Sequence, residues 1–118
     1  MGVIDIYWLP HCSTCQKAVK FLEENGAEFG TFHDLKADPL KRKEVERLVG
    51  FVGAVEKLFS KRAMKYRAMK LNERVLSDDE MIELMTDEYT FIRRPVIVVG
   101  ENALAGFSPK KYEAFLNE

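Results

Sequence analysis

The amino-terminal part of the chain alternates between strand and helix patterns, and this order constrains the fold more than any other feature. Residues 3–8 are rich in β-branched and aromatic side chains and are followed by Pro10, which indicates a strand that ends in a loop. A helix face follows, with apolar residues at the i, i+3, i+4 and i+7 positions: Cys15, Ala18, Val19 and Leu22. Asn25 and Gly26 are a helix stop, and residues 28–32 suit a second strand. Parallel pairing across the helix predicts a βαβ unit.

The middle of the chain is predicted to be helical. Asp38 and Pro39 are typical of a helix start, and the apolar face of that helix should run to Gly50. Residues 54–59 indicate a further helical piece. The Ser-Asp-Asp-Glu segment at 77–80 is a capping box that leads into another amphipathic helix.

The last part of the chain predicts a hairpin and one more helix. Residues 95–99 are continuously apolar, as in a buried strand, and a turn at 100–102 joins them to a return strand at 103–105. Ser108 and Pro109 cap a final helix with an apolar inner face.

This order of elements, βαβ, helices and then ββα, predicts an α/β protein with the thioredoxin-like arrangement. A helical insertion at about 38–90 separates its two halves. The 118 residues are enough for one hydrophobic core, so we expect one domain over residues 1–118.

Composition excludes several classes of protein. With 47% hydrophobic and 31% charged residues, the chain is neither disordered nor fibrous. A net charge of −1 creates no field that would attract nucleic acid. No apolar run approaches the roughly 20 residues of a membrane span, and the first residues do not form a signal peptide. We therefore expect a cytoplasmic protein, with nothing that indicates more than a monomer.

The two cysteines lie two residues apart at the predicted start of the first helix. A thiol reacts as its thiolate, and the unpaired N–H groups and positive dipole end of a helix stabilise that anion. Cys12 sits at this end, and Cys15 lies one turn further on, where it can attack a mixed disulfide on Cys12. The spacing suits one attacking and one resolving thiol, in the strand–loop–helix setting of redox motifs.

Two other interpretations of the pair stay open. Small apolar cysteines are common in protein cores, and a CxxC occurs by chance in proteins without redox function. A zinc site would need His11 and His33 to complete four ligands, without a second ligand pair, and we predict no metal. His11 either favours the thiolate when protonated or is an exposed loop residue.

The middle of the chain separates its charges into two blocks. Residues 57–74 carry seven basic side chains against Glu73 alone, and residues 78–88 carry six acidic ones. The blocks can pair with each other, which is the common outcome for surface charge. Alternatively, the basic block binds an acidic partner or steers an anionic thiol such as glutathione.

Two segments together resemble the arsenate reductase (ArsC) and Spx family: residues 10–18, PHCSTCQKA, and residues 91–98, FIRRPVIV. The likeness covers nearly the whole chain, including the stretch at 66–71. It implies a thioredoxin-like fold and a cis peptide between Arg94 and Pro95, opposite the CxxC loop. It also implies that Arg94 faces an anionic group near Cys12, and that the residues which position the substrate are Ser13, Thr14 and Pro95.

The chain departs from the arsenate reductase pattern at its cations. Reductases of this type place three arginines around the oxyanion, and only Arg94 matches one of them. Glu56 stands at one of the other positions, where Arg62 or Arg67 could substitute, and residues 105–107, Ala-Gly-Phe, stand at the last. Fewer cations disfavour an arsenate dianion beside a thiolate.

Cys15 and the Gly-Phe pair at 106–107 are more similar to the Spx branch. That resemblance implies a redox-switched regulator that binds the alpha subunit of RNA polymerase. The first prediction is a thiol–disulfide oxidoreductase with the catalytic residues Cys12, Cys15 and Arg94. We expect this oxidoreductase to hold no bound cofactor and to use glutathione or thioredoxin as its external reductant. A redox-sensing regulator is the second hypothesis and an arsenate reductase the third.

Overall fold

The computed structural model describes residues 2–117. Four strands are present: β1 (Ile4–Trp8), β2 (Phe29–Asp34), β3 (Val96–Val99) and β4 (Asn102–Ala105). Six α-helices are present: α1 (Ser13–Glu24), α2 (Arg42–Val52), α3 (Val55–Leu58), α4 (Met64–Ala68), α5 (Asp78–Asp87) and α6 (Pro109–Leu116). Short 3₁₀ turns at Leu71–Glu73 and Tyr89–Phe91 complete the elements of this part of the chain. The residues group into two compact units, 2–38 with 94–117, and 39–93. The second unit corresponds to the helical insertion predicted at about 38–90.

The first unit contains one four-stranded sheet in the order β2-β1-β3-β4. β1 pairs in parallel with β2 and antiparallel with β3, and β3 pairs antiparallel with β4. The predicted βαβ unit and late hairpin are therefore confirmed. Asn102 pairs with Val99, so the return strand begins one residue earlier than predicted. The turn is reduced to Gly100 and Glu101, and Gly100 adopts a positive φ of 61° that suits glycine.

The core of the first unit joins the sheet to α1 and α6. Its buried members are Ile4, Ile6, Ala18, Leu22, Ile97 and Tyr112. Alternate residues of β1 face the same side, so both of its isoleucines enter this cluster. The helix face predicted from the spacing of apolar residues in α1 is confirmed, because Cys15, Ala18 and Leu22 are its buried residues. Helix α1 is thus held against β1 by one continuous apolar contact, which fixes where its N-terminus lies.

The predicted helix start at Asp38 and Pro39 is wrong. The side chain of Asp34 accepts hydrogen bonds from the N–H groups of Lys36 and Ala37, and the Asp38 N–H donates to the Asp34 carbonyl. These bonds form a turn after β2, so Asp34 rather than Asp38 organises the backbone there.

Helix α2 begins at Arg42 and also ends later than predicted. Its first turn is closed by Glu44, whose carboxylate accepts the Lys41 N–H at 3.1 Å. It runs to Val52 rather than Gly50 and is terminated by Gly53, which has a φ of 99°. The left-handed conformation of Gly53 is the common helix end, whereas Gly50 is accommodated inside the helix.

Helix α5 confirms its predicted capping box. The Ser77 hydroxyl accepts the Glu80 N–H at 3.1 Å, and the Glu80 carboxylate accepts the Ser77 N–H at the same distance. Met81 and Met85 are its buried residues. Among the helices of residues 2–117, none combines the length and the hydropathy that a membrane crossing requires.

The two charge blocks of the second unit pair with each other in part. Lys65 donates to Glu88 at 2.8 Å, and Arg74 forms an ion pair with Glu80. Another acidic residue of the second block, Asp79, pairs with Arg42 of α2. Pairing within the chain therefore accounts for part of the charge separation, and these exposed pairs each stabilise the fold only slightly.

Candidate functional site

Cys12 is the N-cap residue of α1. Its backbone is extended, with φ −80° and ψ 121°, and its carbonyl accepts the first helical hydrogen bond, from Gln16 N–H at 3.0 Å. The Cys12 N–H donates to the Leu9 carbonyl at 3.0 Å, and the Gln16 amide donates to the Pro10 carbonyl at 2.9 Å. These bonds hold the loop between β1 and α1 in a fixed form. The predicted place of the thiol at the helix N-terminus is confirmed.

The surroundings of Cys12 lower its pKa below the ordinary value. Burial of the half-buried thiol is the largest single cause and raises the pKa, but the causes that lower it outweigh burial together, beginning with hydrogen bonds from the backbone N–H and the side chain of Cys15. The Thr14 N–H and the charge of Arg94 lower the pKa further. Orphan N–H groups of the first helical turn therefore stabilise the thiolate, as the position of Cys12 predicts.

Cys15 has the opposite character. It is fully buried, with 0% of its surface exposed, and burial raises its pKa to about 12 from an ordinary 9.0. A backbone hydrogen bond from Leu9 opposes this shift, whereas the hydrogen bond to Cys12 and the charge of Cys12 add to it. Both residues are free thiols in this structure. The two sulfurs thus form an asymmetric pair, a favoured thiolate beside a retained thiol.

Arg94 and Pro95 complete this site from the start of β3. The peptide bond between them is cis, as the family resemblance implied. Arg94 is half-buried and its charge acts on both thiols, favouring the thiolate of each. Pro95 is buried, and its carbonyl accepts the Gly106 N–H at 2.8 Å. The structure therefore brings the three predicted catalytic residues, Cys12, Cys15 and Arg94, to one place.

The other residues predicted for the site are distributed differently. Ser13 and Thr14 are exposed at the first turn of α1, and Thr14 contributes its N–H to the Cys12 thiol. His11 is exposed in the loop. His33 lies in β2, where its ring contacts the Asp38 carbonyl at 2.6 Å. Within residues 2–117 no three His, Cys, Asp or Glu side chains are grouped so that they could hold a metal ion.

The residues considered as replacements for the missing arginines all lie in the second unit. Glu56 is an exposed residue of α3, Arg67 an exposed residue of α4, and Arg62 lies exposed just before α4. Arg94 is the arginine whose charge is found to act on Cys12.

Tyr112 belongs to the inner face predicted for the last helix, together with Phe115 and Leu116, and the sequence indicated only core packing for it. It is fully buried in α6, and its hydroxyl donates to the Gly106 carbonyl at 2.7 Å. Burial, and then the neighbouring Cys15, raise the pKa of its phenol. A signal was present in the sequence, because a tyrosine on the buried face of a helix needs a hydrogen-bond partner for its hydroxyl.

The fold and this site define a class: a thioredoxin-like protein with a CxxC pair at the start of its first helix and a cis-proline before the third strand. The chain belongs to the ArsC family, whose sequence model matches residues 7–115. Both the family and the fold predicted from the sequence are confirmed.

Three relatives illustrate the range of the family. The uncharacterized protein YusI of Bacillus subtilis is 35% identical over 113 residues, which cover 93% of this chain and 95% of YusI. The global transcriptional regulator Spx of Streptococcus pneumoniae is 25% identical, over 97% of this chain and 86% of Spx. The solved structure of an arsenate reductase from Vibrio cholerae has a TM-score of 0.80 and 25% identity, over 96% of this chain and 97% of the reductase. The proteins similar to this chain thus include one named as a regulator and one named as an enzyme.

Proposed function

We propose that this protein is a thiol–disulfide redox protein in which Cys12 attacks and Cys15 resolves. The observation that carries the proposal is the asymmetry of the pair. The pKa of the half-buried Cys12 is lowered, and burial raises that of Cys15 to about 12. Nucleophilic attack requires a thiolate, so the first step belongs to Cys12. We place the protein in the cytoplasm as a monomer, where a reducing environment returns the pair to thiols.

The reaction proceeds in two displacements. The Cys12 thiolate attacks one sulfur of a substrate disulfide, which forms a mixed disulfide and expels the other sulfur as a thiolate. Cys15 then attacks the Cys12 sulfur, which forms the Cys12–Cys15 disulfide and expels the second substrate thiolate. The substrate gains two electrons and the protein loses two. Glutathione or thioredoxin, as external thiol reductant, restores both cysteines.

The proton of Cys15 has a defined destination in this scheme. Among the described residues 2–117 no Asp, Glu, His or Lys side chain is buried as a base for Cys15, and the nearby Tyr112 hydroxyl, whose pKa is raised, donates its proton to the Gly106 carbonyl. We therefore assign the proton to the departing substrate thiolate. Formation of the mixed disulfide also removes the Cys12 charge and hydrogen bond, two causes of the raised Cys15 pKa. Cys15 is activated only after Cys12 has reacted.

Arg94 serves an anionic group in the proposal. Its guanidinium stabilises the Cys12 thiolate and offers a charged donor to a carboxylate of glutathione or of a protein substrate. Ser13, Thr14 and Pro95 are proposed to position the substrate around the thiol.

The test compares Cys12→Ser with Cys15→Ser in reduction of a mixed glutathione disulfide. Cys12→Ser should abolish turnover, and Cys15→Ser should accumulate a mixed disulfide that mass spectrometry detects on Cys12. In the wild type, oxidation should close a Cys12–Cys15 disulfide that a dithiol reverses. Equal and mild effects of the two substitutions would contradict the assigned roles.

A redox-sensing regulator is the second candidate, because the match to Spx covers nearly the whole chain. In this role the same disulfide changes an interaction surface, and the partner implied by the resemblance is the alpha subunit of RNA polymerase. A pull-down with the purified alpha carboxy-terminal domain, with and without dithiol, tests it. Binding that depends on the redox state supports the regulator, and no binding in either state removes it.

Arsenate reduction is the third candidate and follows from the structural likeness to the Vibrio cholerae enzyme. Arsenite release in the presence of glutathione with glutaredoxin, or of thioredoxin, tests it. We expect weak activity, because the family's arginine positions are matched here only by Arg94 and a carboxylate stands at another.

A further inference from the structure

A chain of two hydrogen bonds connects α6 to the residue that follows Arg94. The Tyr112 hydroxyl donates to the Gly106 carbonyl at 2.7 Å, and the Gly106 N–H donates to the Pro95 carbonyl at 2.8 Å. Gly106 follows β4 with a φ of 85°, a left-handed conformation that suits glycine. The single residue Gly106 therefore connects the tyrosine to the proline of the site through its two backbone polar groups.

Tyr112 is itself held firmly. The centroid of its ring lies 5.0 Å from that of Phe107 and 6.0 Å from that of Phe21 of α1, in edge-to-face geometry. None of the surface of Tyr112 is exposed. Phe107 also contacts Phe21, at 5.7 Å. Packing of the three rings holds α6 against α1 and the segment after β4, and it fixes the direction of the Tyr112 hydroxyl.

We propose that Tyr112 is a positioning residue, which holds the Arg94–Pro95 segment against the two thiols through Gly106. The argument is geometric. Pro95 is buried and accepts a hydrogen bond from Gly106, so the position of Gly106 restrains the backbone next to Arg94, from which its side chain extends. An apolar residue of the same shape would fill the core equally well but would leave the Gly106 carbonyl without this donor. Cys15 is close enough to Tyr112 to raise the pKa of its phenol, so Tyr112 lies beside the same site. The inference deepens the proposed function, but its readout is the reactivity of Cys12 and needs no turnover.

The test measures the rate of Cys12 alkylation by iodoacetamide as a function of pH in Tyr112→Phe, Arg94→Gln and the double variant. Tyr112→Phe retains the ring and removes only the hydroxyl. We expect it to slow alkylation at pH 7 by about threefold and to move the pH midpoint upward, because Arg94 favours the thiolate less well. In the Arg94→Gln background the same change should have no further effect.

The controls separate positioning from general loosening. Tyr66→Phe removes a hydroxyl from a half-buried tyrosine of the second unit and should leave the pH profile unchanged. Near-ultraviolet circular dichroism checks that each variant is folded. An unchanged profile in Tyr112→Phe, or equal slowing with and without Arg94, overturns the proposal. A failure of disulfide turnover in the wild type would contradict the proposed function alone.

A second measurement needs no variant. Because the Gly106 N–H is bonded to Pro95, its hydrogen exchange in the wild-type protein should be protected well above that of an exposed amide. Exchange as fast as in an unstructured peptide would overturn the proposal on its own.

Discussion

The contrast between the two thiols leads to a quantitative prediction of their reactivity. Burial raises the pKa of Cys15 to about 12, against an ordinary 9.0. Each pKa unit is a factor of ten in thiolate fraction below the pKa, so the thiolate fraction of Cys15 at pH 7 falls by about a thousandfold. Cys12, whose pKa is lowered, exceeds an ordinary cysteine in thiolate fraction. The more basic thiolate of Cys15 is intrinsically more nucleophilic, which offsets part of this difference, so with limiting iodoacetamide we expect Cys12 to be modified more than about a hundred times faster than Cys15.

The assay is mass spectrometry of the protein after brief alkylation. The sequence has no Lys or Arg before Lys17, so trypsin releases both cysteines in the peptide 1–17. Fragment ions that include or exclude Ser13 and Thr14 assign the label to Cys12 or Cys15. In denaturant both thiols should react at similar rates, because burial and the helix N-terminus are lost together.

The variant Cys12→Ser separates the causes. It removes the charge of Cys12, which adds to the raised Cys15 pKa, but it leaves Cys15 buried on the inner face of α1. Cys15 should therefore still react more than about tenfold slower than free cysteine, because burial is the largest cause. Native-state labelling of Cys15 at a rate within about tenfold of Cys12 would refute the reasoning, and with it the assignment of the attacking thiol.

Three further predictions concern single side chains. Arg94→Gln should move the pH profile of Cys12 alkylation to higher pH, because the guanidinium charge lowers the Cys12 pKa. Stopped-flow alkylation measures the shift, and an unchanged profile would show that Arg94 does not act on the thiol. Ser77→Ala should cost about 1 kcal/mol in urea unfolding, because it leaves a backbone N–H of α5 without its cap. Gly30→Ala should lower the free energy of unfolding by roughly 1 kcal/mol or more, because the added methyl group would collide with the Asp5 carboxylate. A free energy of unfolding equal to that of the wild type would contradict this packing.

Local patterns in the sequence determined much of the fold. The apolar spacing of α1, the capping box at Ser77 and the apolar run of β3 each correspond to an element in the structure. These signals are reliable because they depend on neighbours within one or two turns, where hydrogen bonding and burial follow directly from residue order. The position of Cys12 at a helix N-terminus belongs to the same class.

The errors arose where two local signals competed. Asp38 and Pro39 suit a helix start, but Asp34 captures the nearby N–H groups first and forms a turn. Gly50 suits a helix end, but the residues after it continue the buried face, and Gly53 terminates the helix instead. In both places the position of the helix end depends on which side chains pack and form hydrogen bonds best in the folded protein. Helix propensity alone does not rank these alternatives.

The sequence by itself determined that a thiol begins the first helix, that a second thiol lies one turn inside it, and that the chain can build the strands around them. Only the tertiary structure decided how different the two thiols are. The complete burial of Cys15 and the nearness of Arg94, some eighty residues away in the chain, arise when β3 pairs with β1. The two hydrogen bonds that connect Tyr112 through Gly106 to Pro95 also form only in the folded chain. Such contacts join residues distant in sequence, and their electrostatic effect depends on distance and burial, quantities that exist only after the chain has folded.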